Sequence, residues 1–574
     1  MIKPKKSVEK MKAYCVPLFK EEFKYKLDEN ENLFGPSPKV VDVLKGITDK
    51  NIKFYPAYGK LLEKLSEVNE LSSDFFLNTN GADEAICVIF STYLEENDSV
   101  LSVVPSFSMP KIYAQMNCAN FVEVPYVTKW QFPLDDFLAK IESDKSIKIV
   151  HLTTPNNPTG ECISEEALLK IIETSKDKVS VIDETYANYA SKFNTELVKK
   201  FDNVFVVRSF SKDFALAGLR VGYVISRPEN IIQMTKVRSP YSTNSVAMMA
   251  AIAALDDKEY FDNVLKQILI NKKELEIFFE QQGFKVFKTE ANFLLVDFKE
   301  KAEFIYQRLL QNSIKVRRFE NNDFLKNVFR ISIPTQEGVE ALKLVFKTMK
   351  KNMIVFDMDG VLIDTRNSYR KAIQKTFEFF TNKDVSFEEI QSAKNKGGLN
   401  NDWDLTEYLL KKVGVEISRN EIIDKFQELY WNDGKGFIAD ECLLINKETL
   451  DKLSQDYNMA NFTGRPRQEA FFAIRANGIE RYFTSIVTMD DIPQDRQKPF
   501  PDGLEIIKKN SMYNKIFYLG DTSDDMCCAN SANVIGVGVL PPQDKSSELC
   551  SAMKQAGASF VIDNVNQIFD VLEK

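Results

Sequence analysis

Two separate runs of alternating β-rich and helical segments limit what this chain can fold into more than any other feature. From about residue 75, short apolar runs (SVLSVVP, IKIVHLTT, KVSVIDE, NVFVVRS, RVGYVIS) alternate with amphipathic stretches such as SEEALLKIIETSK. Short apolar runs between longer helical segments predict a parallel sheet covered by helices. The pattern fades near residue 230, where YFDNVLKQILINKKELEIFFEQQG, FKVFKTEANFLLVDF and FRISIPTQEGVEALKLVFKTMK predict a smaller α+β lobe. It restarts at Met353, where MIVFDMDGV reads as a buried strand entering a polar turn directly after a lysine-rich helix end. With 574 residues the chain is also too long for one core. The expected division is a first unit over residues 1–351 and a second over 352–574, with no Gly/Ser/Pro-rich linker between them. Within the second, residues from about 366 to 455 are polar and helical without β runs, as expected of an inserted helical cap.

Composition removes several classes of function. A net charge of −8, from 75 basic and 83 acidic residues, opposes a mainly electrostatic nucleic-acid binder or a polybasic membrane anchor. The longest apolar run, Val246 to Leu255, is about half of what a membrane-spanning helix needs. MIKPKKSVEKMKAYCVPLFK is basic but has no apolar core of a secretory signal, and the eight cysteines have no framework spacing, so a cytoplasmic protein with reduced thiols is expected. There is a single histidine, His151. A multi-histidine zinc site therefore cannot be built and at most one mechanism can use an imidazole, so catalysis is expected to come from Lys, Asp, Thr or Tyr. At the end of an apolar run, His151 itself is expected to be a satisfied core residue.

The first chemical constellation lies in VVRSFSKDFALAGLRVGY, which places Lys212 in a small, hydroxyl-rich turn after a strand with Arg220 nearby. A neighbouring cation lowers the pKa of a lysine and favours the free amine, as a Schiff-base lysine beside a phosphate requires. Upstream, SVIDETYANY ends an apolar strand at Asp183, where a carboxylate can face a ligand at the carboxyl edge of a parallel sheet. NTNGADEA supplies a turn and a helix start, where backbone N–H groups and the helix dipole can hold phosphate.

Together with KLDENENLFGPSP, FYPAYG, TPNNPTG and FRISI, these segments resemble fold-type I pyridoxal-phosphate enzymes over roughly residues 20 to 350, and by motif most nearly the histidinol-phosphate aminotransferases. The resemblance implies a large mixed sheet plus a small lobe, and pyridoxal 5'-phosphate as cofactor. It implies Lys212 as the Schiff-base lysine and proton shuttle, and Asp183 as the partner of the pyridine nitrogen. Asn157 and Tyr186 would bond the phenolic oxygen, and Phe107 would stack on the ring. Ala82, Asp83, Ser209, Ser211 and Arg220 would form the phosphate cup. Tyr55 would reach the cofactor phosphate of a neighbouring subunit, implying a homodimer, and Arg330 would grip the carboxylate of the amino donor. Two departures touch the substrate side: Leu33 stands in NENL where the family commonly has proline, and SPYSTNS (239–245) differs from the usual form.

The second constellation begins with Asp357 and Asp359 in IVFDMDGVLIDT, two carboxylates leaving a strand end two residues apart, an arrangement that is costly unless a cation neutralises them. NFTGRP (Thr463), QKPFPDG (Lys498) and YLGDTSDDM (Asp521, Asp525) follow. In this order they resemble the haloacid-dehalogenase-type phosphohydrolases over about residues 353 to 574, with a Rossmann-like domain and an inserted helical cap. The resemblance implies Asp357 as nucleophile, Asp359 as acid and base, and Thr463 and Lys498 as phosphoryl ligands. Magnesium would be held by Asp357, the Asp359 main-chain carbonyl and Asp521, with Asp525 in support. In the cap, 394–410 is the expected specificity element, with Gly397 and Gly398 either a substrate loop or a plain turn.

A transaminase of this type handles a small phosphorylated ketone, and a phosphohydrolase in the same chain could remove that phosphate afterwards. The expectation is a bifunctional enzyme taking imidazole-acetol phosphate or dihydroxyacetone phosphate, with glutamate as donor, to a free amino alcohol. A threonine-phosphate-type decarboxylase on the same fold, a pyridoxal-phosphate-dependent regulator, and a phosphohydrolase half kept only for docking are the alternatives.

Overall fold

The computed structural model of the chain describes residues 2–9, 11, 13, 22–126, 130–319, 322–394 and 401–572. Gly397 and Gly398 lie outside the described residues. The chain divides into two compact units, Met1–Leu344 and Val345–Lys574.

Seven strands form the main sheet of the first unit: β1 (Phe76–Thr79), β2 (Ser99–Val104), β3 (Asn120–Pro125), β4 (Ile147–Thr153), β5 (Val179–Asp183), β6 (Val204–Ser209) and β7 (Gly222–Ile225). Their spatial order is β1-β7-β6-β5-β4-β2-β3. Only β7 runs against its neighbours, so the sheet is mixed and its other strands all point the same way. Consecutive side chains of a strand face opposite sides, and both sides here are covered. Ile149, Val181 and Phe205 pack against Ile86, Ile89 and Phe90 of the helix Gly81–Tyr93, whereas Val150, Ile182 and Val206 share a cluster with Leu168, Ile171 and Ile172 of the helix Glu165–Thr174. Each such side chain contributes roughly 1.5–3 kcal/mol on burial, which is why these strands read as continuous apolar runs. The helix Lys258–Gln281 leads into the small lobe, an antiparallel sheet of β8 (Lys285–Phe287), β9 (Phe293–Asp297) and β10 (Val328–Ser332) in the order β10-β9-β8.

The second unit is built on a six-stranded parallel sheet: β11 (Asn352–Phe356), β12 (Tyr457–Phe462), β13 (Phe483–Val487), β14 (Ile516–Gly520), β15 (Ile535–Val539) and β16 (Phe560–Ile562), in the order β13-β12-β11-β14-β15-β16. The chain leaves this sheet through Ile363–Asp364 and returns through Cys442–Leu443, two short segments paired antiparallel. Between them lie the helices Tyr369–Thr381, Phe387–Lys394, Asp402–Lys412 and Arg419–Tyr430, which close their own core around Ile373, Phe377, Leu405, Leu409 and Phe426. Leu450 and Leu453, on the helix Lys447–Asp456, pack instead with Ile354 and Phe356 of β11.

His151 is fully buried in β4, edge-on to Phe90. It is a core residue but not a satisfied one: no described residue hydrogen-bonds either ring nitrogen. Burial pushes its pKa down to about 4, so the ring is neutral, which removes most of the cost of that isolation.

Candidate active sites

In the first unit the residues singled out by the motifs gather at the carboxyl ends of the parallel strands, where loops and helix starts converge in sheets of this kind. Asp183 is the last residue of β5, Asn157 follows β4, Phe107 follows β2, and Ser209, Ser211 and Lys212 lie at or just after the end of β6. Ala82 and Asp83 open the helix Gly81–Tyr93 after β1.

Ser211 N–H donates to Ser209 Oγ at 3.1 Å, Arg220 Nη1 donates to Ser211 Oγ at 3.3 Å, and Arg220 Nη2 pairs with Asp83 Oδ2 at 2.9 Å. The Asn80 side chain makes no hydrogen bond to the first turn of the helix behind them, so that N-terminus keeps its donors and its dipole directed into the cup. Gly81, at φ +80°, brings the backbone within reach of the guanidinium, since a Cβ there would lie 2.7 Å from Arg220 Nη2. Two hydroxyls, an arginine and a helix start fit a phosphate group.

Beside this cup, Lys212 Nζ donates to the Glu29 carbonyl at 2.7 Å, and the Lys212 carbonyl accepts from Tyr189 OH at 3.0 Å. Burial, and second the Arg330 guanidinium, lower the Lys212 pKa to about 8. Arg330, from the small lobe, is the cation that lowers it most, with Lys26 acting in the same sense, while the Arg220 guanidinium is engaged by Asp83 and Ser211. Asp183 is buried, and its Oδ1 accepts from Thr185 N–H at 3.0 Å and Thr185 Oγ1 at 2.6 Å. Burial nonetheless raises its pKa to about 6. A buried carboxylate in need of a proton or a cation fits the protonated nitrogen of a pyridine ring.

Arg330 Nη1 donates to Asn157 Oδ1 at 2.5 Å and Nη2 to the Asp28 carbonyl at 2.6 Å. Tyr186 OH accepts from Asn30 Nδ2 at 3.0 Å. Phe107 is half-buried. Tyr55 is 78% exposed, its ring stacked on Tyr241 at 4.3 Å. Two further contributors lie in the quoted motifs but have no role assigned there. Asn30, in the motif NENL, ties the N-terminal segment to Tyr186 and Ser332, and Tyr189 holds the backbone of the lysine turn.

In the second unit Asp357 and Asp359 follow β11, Thr463 follows β12, and Asp521 and Asp525 follow β14. Gly360 has φ +75°, and a Cβ there would overlap the Asp521 carboxylate, so the first loop presses directly on the second. Carboxylate oxygens of Asp357, Asp521 and Asp525 lie within 4.8 Å of one another. Lys498 Nζ bridges Asp357 Oδ1 at 2.6 Å and Asp525 Oδ1 at 2.8 Å. Burial and the neighbouring Asp525 and Asp359 push Asp357 above the usual carboxylate range against the pull of Lys498, while Asp357 and Asp525 hold Lys498 protonated. Three carboxylates with one ammonium on two of them keep a net negative charge, and an all-oxygen donor set of that kind fits a hard divalent cation such as Mg²⁺. The Asp359 carboxylate is not in that group; it is held by Arg465. Thr463 is fully buried and its Oγ1 accepts from Arg465 N–H. Asp357, Asp359, Thr463, Lys498 and Asp521 line a cavity of about 360 Å³ that also reaches Asp402, Trp403 and Asp404 of the cap. Arg465, in the same TGRP motif as Thr463, is a site residue that the motifs do not mark out, although an arginine directly after a strand-end turn was the available signal.

The comparisons with known proteins agree with the two fold classes. Residues 23–343 match the family model for class I and II aminotransferases, and residues 354–539 match that for haloacid dehalogenase-like hydrolases. The histidinol-phosphate aminotransferase of Caldanaerobacter subterraneus subsp. tengcongensis is 33% identical over 327 residues, covering 56% of this chain and 91% of the relative. The crystal structure of the histidinol-phosphate aminotransferase from Clostridium acetobutylicum aligns at a TM-score of 0.52 and 26% identity, covering 56% of this chain and 99% of that one. The Sinorhizobium meliloti enzyme in complex with pyridoxal-5'-phosphate aligns at a TM-score of 0.55 and 22% identity, covering 61% and 98%, a likeness of fold. With an aminotransferase fold and its lysine turn in the first unit and a carboxylate-rich hydrolase centre in the second, the chain belongs to the class I and II aminotransferase family and carries a haloacid dehalogenase-like hydrolase domain as well.

Proposed function

We propose that the chain first transaminates a small phosphorylated ketone and then hydrolyses the resulting amino-alcohol phosphate. The observation that supports this reading is two side-chain clusters in one chain: a lysine of lowered pKa beside an anion cup, and a buried carboxylate–lysine nest lining a cavity that reaches the cap.

In the first site, bound pyridoxal phosphate supplies an electron sink for the substrate α-carbon. The cup of Ser209, Ser211, Arg220 and the Gly81–Tyr93 helix start binds its phosphate, with Ala82 and Asp83 on the rim. Asp183 keeps a proton on the ring nitrogen, and Asn157 and Tyr186 orient the phenolic oxygen, with Phe107 against the ring. Lys212 Nζ takes and returns the proton at the substrate carbon, for which an amine with a pKa of about 8 is suited. Arg330 takes the carboxylate of the amino donor, glutamate in the simplest case, by two parallel N–H bonds. Tyr55, exposed on one chain, serves the cup of a second copy in a homodimer.

In the second site, bound Mg²⁺ at Asp357, the Asp359 carbonyl, Asp521 and Asp525 offsets the phosphoryl charge. An Asp357 oxygen attacks phosphorus while the bond to the leaving oxygen breaks, and Asp359 gives that oxygen its proton. Water then attacks phosphorus, Asp359 takes a proton back, and Asp357 and inorganic phosphate are released. Thr463 and Lys498 hold the phosphoryl oxygens.

The test is phosphate release by the full chain with magnesium, supplying imidazole-acetol phosphate or dihydroxyacetone phosphate, each with and without glutamate. Release that depends on glutamate identifies the ketone and the order of the reactions. Release independent of glutamate, or none from either ketone, refutes the coupled reading.

A further inference from the structure

Arg465 is 1% exposed and uses all five of its N–H donors. Nε and Nη2 donate to Asp359 Oδ1 at 2.8 and 2.5 Å, Nη1 and Nη2 to the two carboxylate oxygens of Glu441 at 2.8 and 3.0 Å, and Nη1 to Tyr430 OH at 3.0 Å. Its Cζ lies over the ring of Tyr369, 4.8 Å from the centroid, and that ring stacks on Tyr430 at 4.1 Å. Tyr369 opens the first cap helix, Tyr430 closes Arg419–Tyr430, and Glu441 precedes the segment by which the chain returns from the cap. Tyr430 OH also donates to Glu441 at 3.2 Å, and Tyr369 OH to Glu469 at 2.5 Å.

A guanidinium with a single carboxylate partner can pivot about it. Held on its other edge by Glu441, on a third donor by Tyr430 and on its face by Tyr369, it cannot. Glu441 also balances its charge, so the hold on Asp359 is one of geometry and not of a net positive field. Both contacts fall on Oδ1 of Asp359, leaving Oδ2 as the oxygen that carries the proton. Three of the groups that fix Arg465 belong to the cap or to its return segment, whereas Asp359 belongs to the loop after β11.

We propose that Arg465 is a positioning residue through which the seated cap sets the proton-transferring carboxylate of Asp359. The proposal rests on the phosphohydrolase reading of the second unit. It places the cap in the chemistry as well as in substrate selection, because a cap that moved Tyr430 and Glu441 away would release the guanidinium and with it the acid.

The leaving group separates this role from a merely structural one. An alcohol must be protonated as it departs, whereas 4-nitrophenolate leaves without a proton. The full chain with magnesium is assayed on glycerol 2-phosphate at steady state and on 4-nitrophenyl phosphate in the first turnover, before Asp359 is needed as base. For Arg465→Lys, which keeps a charge but loses the fork, kcat on glycerol 2-phosphate is expected to fall about 100-fold, as for loss of a general acid, with KM within about 3-fold. First-turnover release of 4-nitrophenolate stays within about 3-fold of the parent. Equal losses on both esters, or no loss on either, overturn the proposal. If Arg465→Lys does not fold by circular dichroism, Tyr430→Phe, which removes one hydroxyl, decides: a fall of about 5-fold confined to the alkyl ester supports the proposal, and an equal or absent loss overturns it. Hydrolysis of neither ester by the parent chain is a separate result that overturns the phosphohydrolase reading itself.

Discussion

Asp183→Asn in the cofactor-free protein is predicted to stabilise the first unit. The amide oxygen of asparagine can keep both bonds from Thr185, so the substitution removes a charge and little else. Burial raises the Asp183 pKa from 3.8 to about 6. The folded state therefore binds this proton more tightly than the unfolded state, and keeping the buried carboxylate ionised costs stability at high pH. The full cost appears above pH 6, fades between pH 6 and 3.8, and is gone below that. At about 1.4 kcal/mol for each tenfold difference in proton affinity between the folded and unfolded states, it is about 3 kcal/mol near pH 7.5 and about 1 kcal/mol near pH 4.5. Spread over the unfolding entropy of a unit of this size, 3 kcal/mol moves its transition by about 4 °C. Scanning calorimetry of cofactor-stripped parent and variant at the two pH values measures the gap. With pyridoxal phosphate added the sign should reverse, because the parent gains a partner for its carboxylate and the variant does not. The reasoning is refuted if the stripped variant is no more stable than the parent near pH 7.5, or if acid leaves the gap unchanged.

Further substitutions separate the two sites. Lys212→Ala should remove the visible absorbance of the bound cofactor and lower transamination at least about 1000-fold while phosphate release persists, because only the first site uses that amine. Asp357→Asn should do the reverse, at a similar magnitude, and retained phosphate release would sink the nucleophile assignment. Chelation of divalent cations should stop phosphate release and spare transamination, and a hydrolase indifferent to chelator would exclude the cation site at Asp357, Asp521 and Asp525. Gly81→Ala forces a side chain into φ +80° and against Arg220, so about 1–2 kcal/mol of strain and a weaker anion cup are expected, read as roughly a 10-fold or greater rise in the Kd for pyridoxal phosphate.

The features legible in the chain before folding are local. Lys212 and Asp183 announce themselves because each sits at the end of an apolar strand beside a polar turn, and that strand end fixes where the residue lies in any parallel sheet. Asp357, Thr463 and Asp521 are legible for the same reason. The two rounds of strand and helix are legible because burial on both faces leaves an unbroken apolar run. Partners, by contrast, are set by the fold, since they come from segments far apart in the chain whose approach no local pattern encodes. The cation that lowers the Lys212 pKa most is Arg330, which comes from the small lobe. Asn30 reaches Tyr186 across 156 residues, and His151 is buried with no partner for its ring among the described residues. Most of all, Arg465 takes its function from Asp359, 106 residues upstream, and from Glu441 at the foot of the cap. A buried charge is tolerated only where its counter-charges arrive, and the packing of whole elements, which no short stretch of sequence specifies, brings them there.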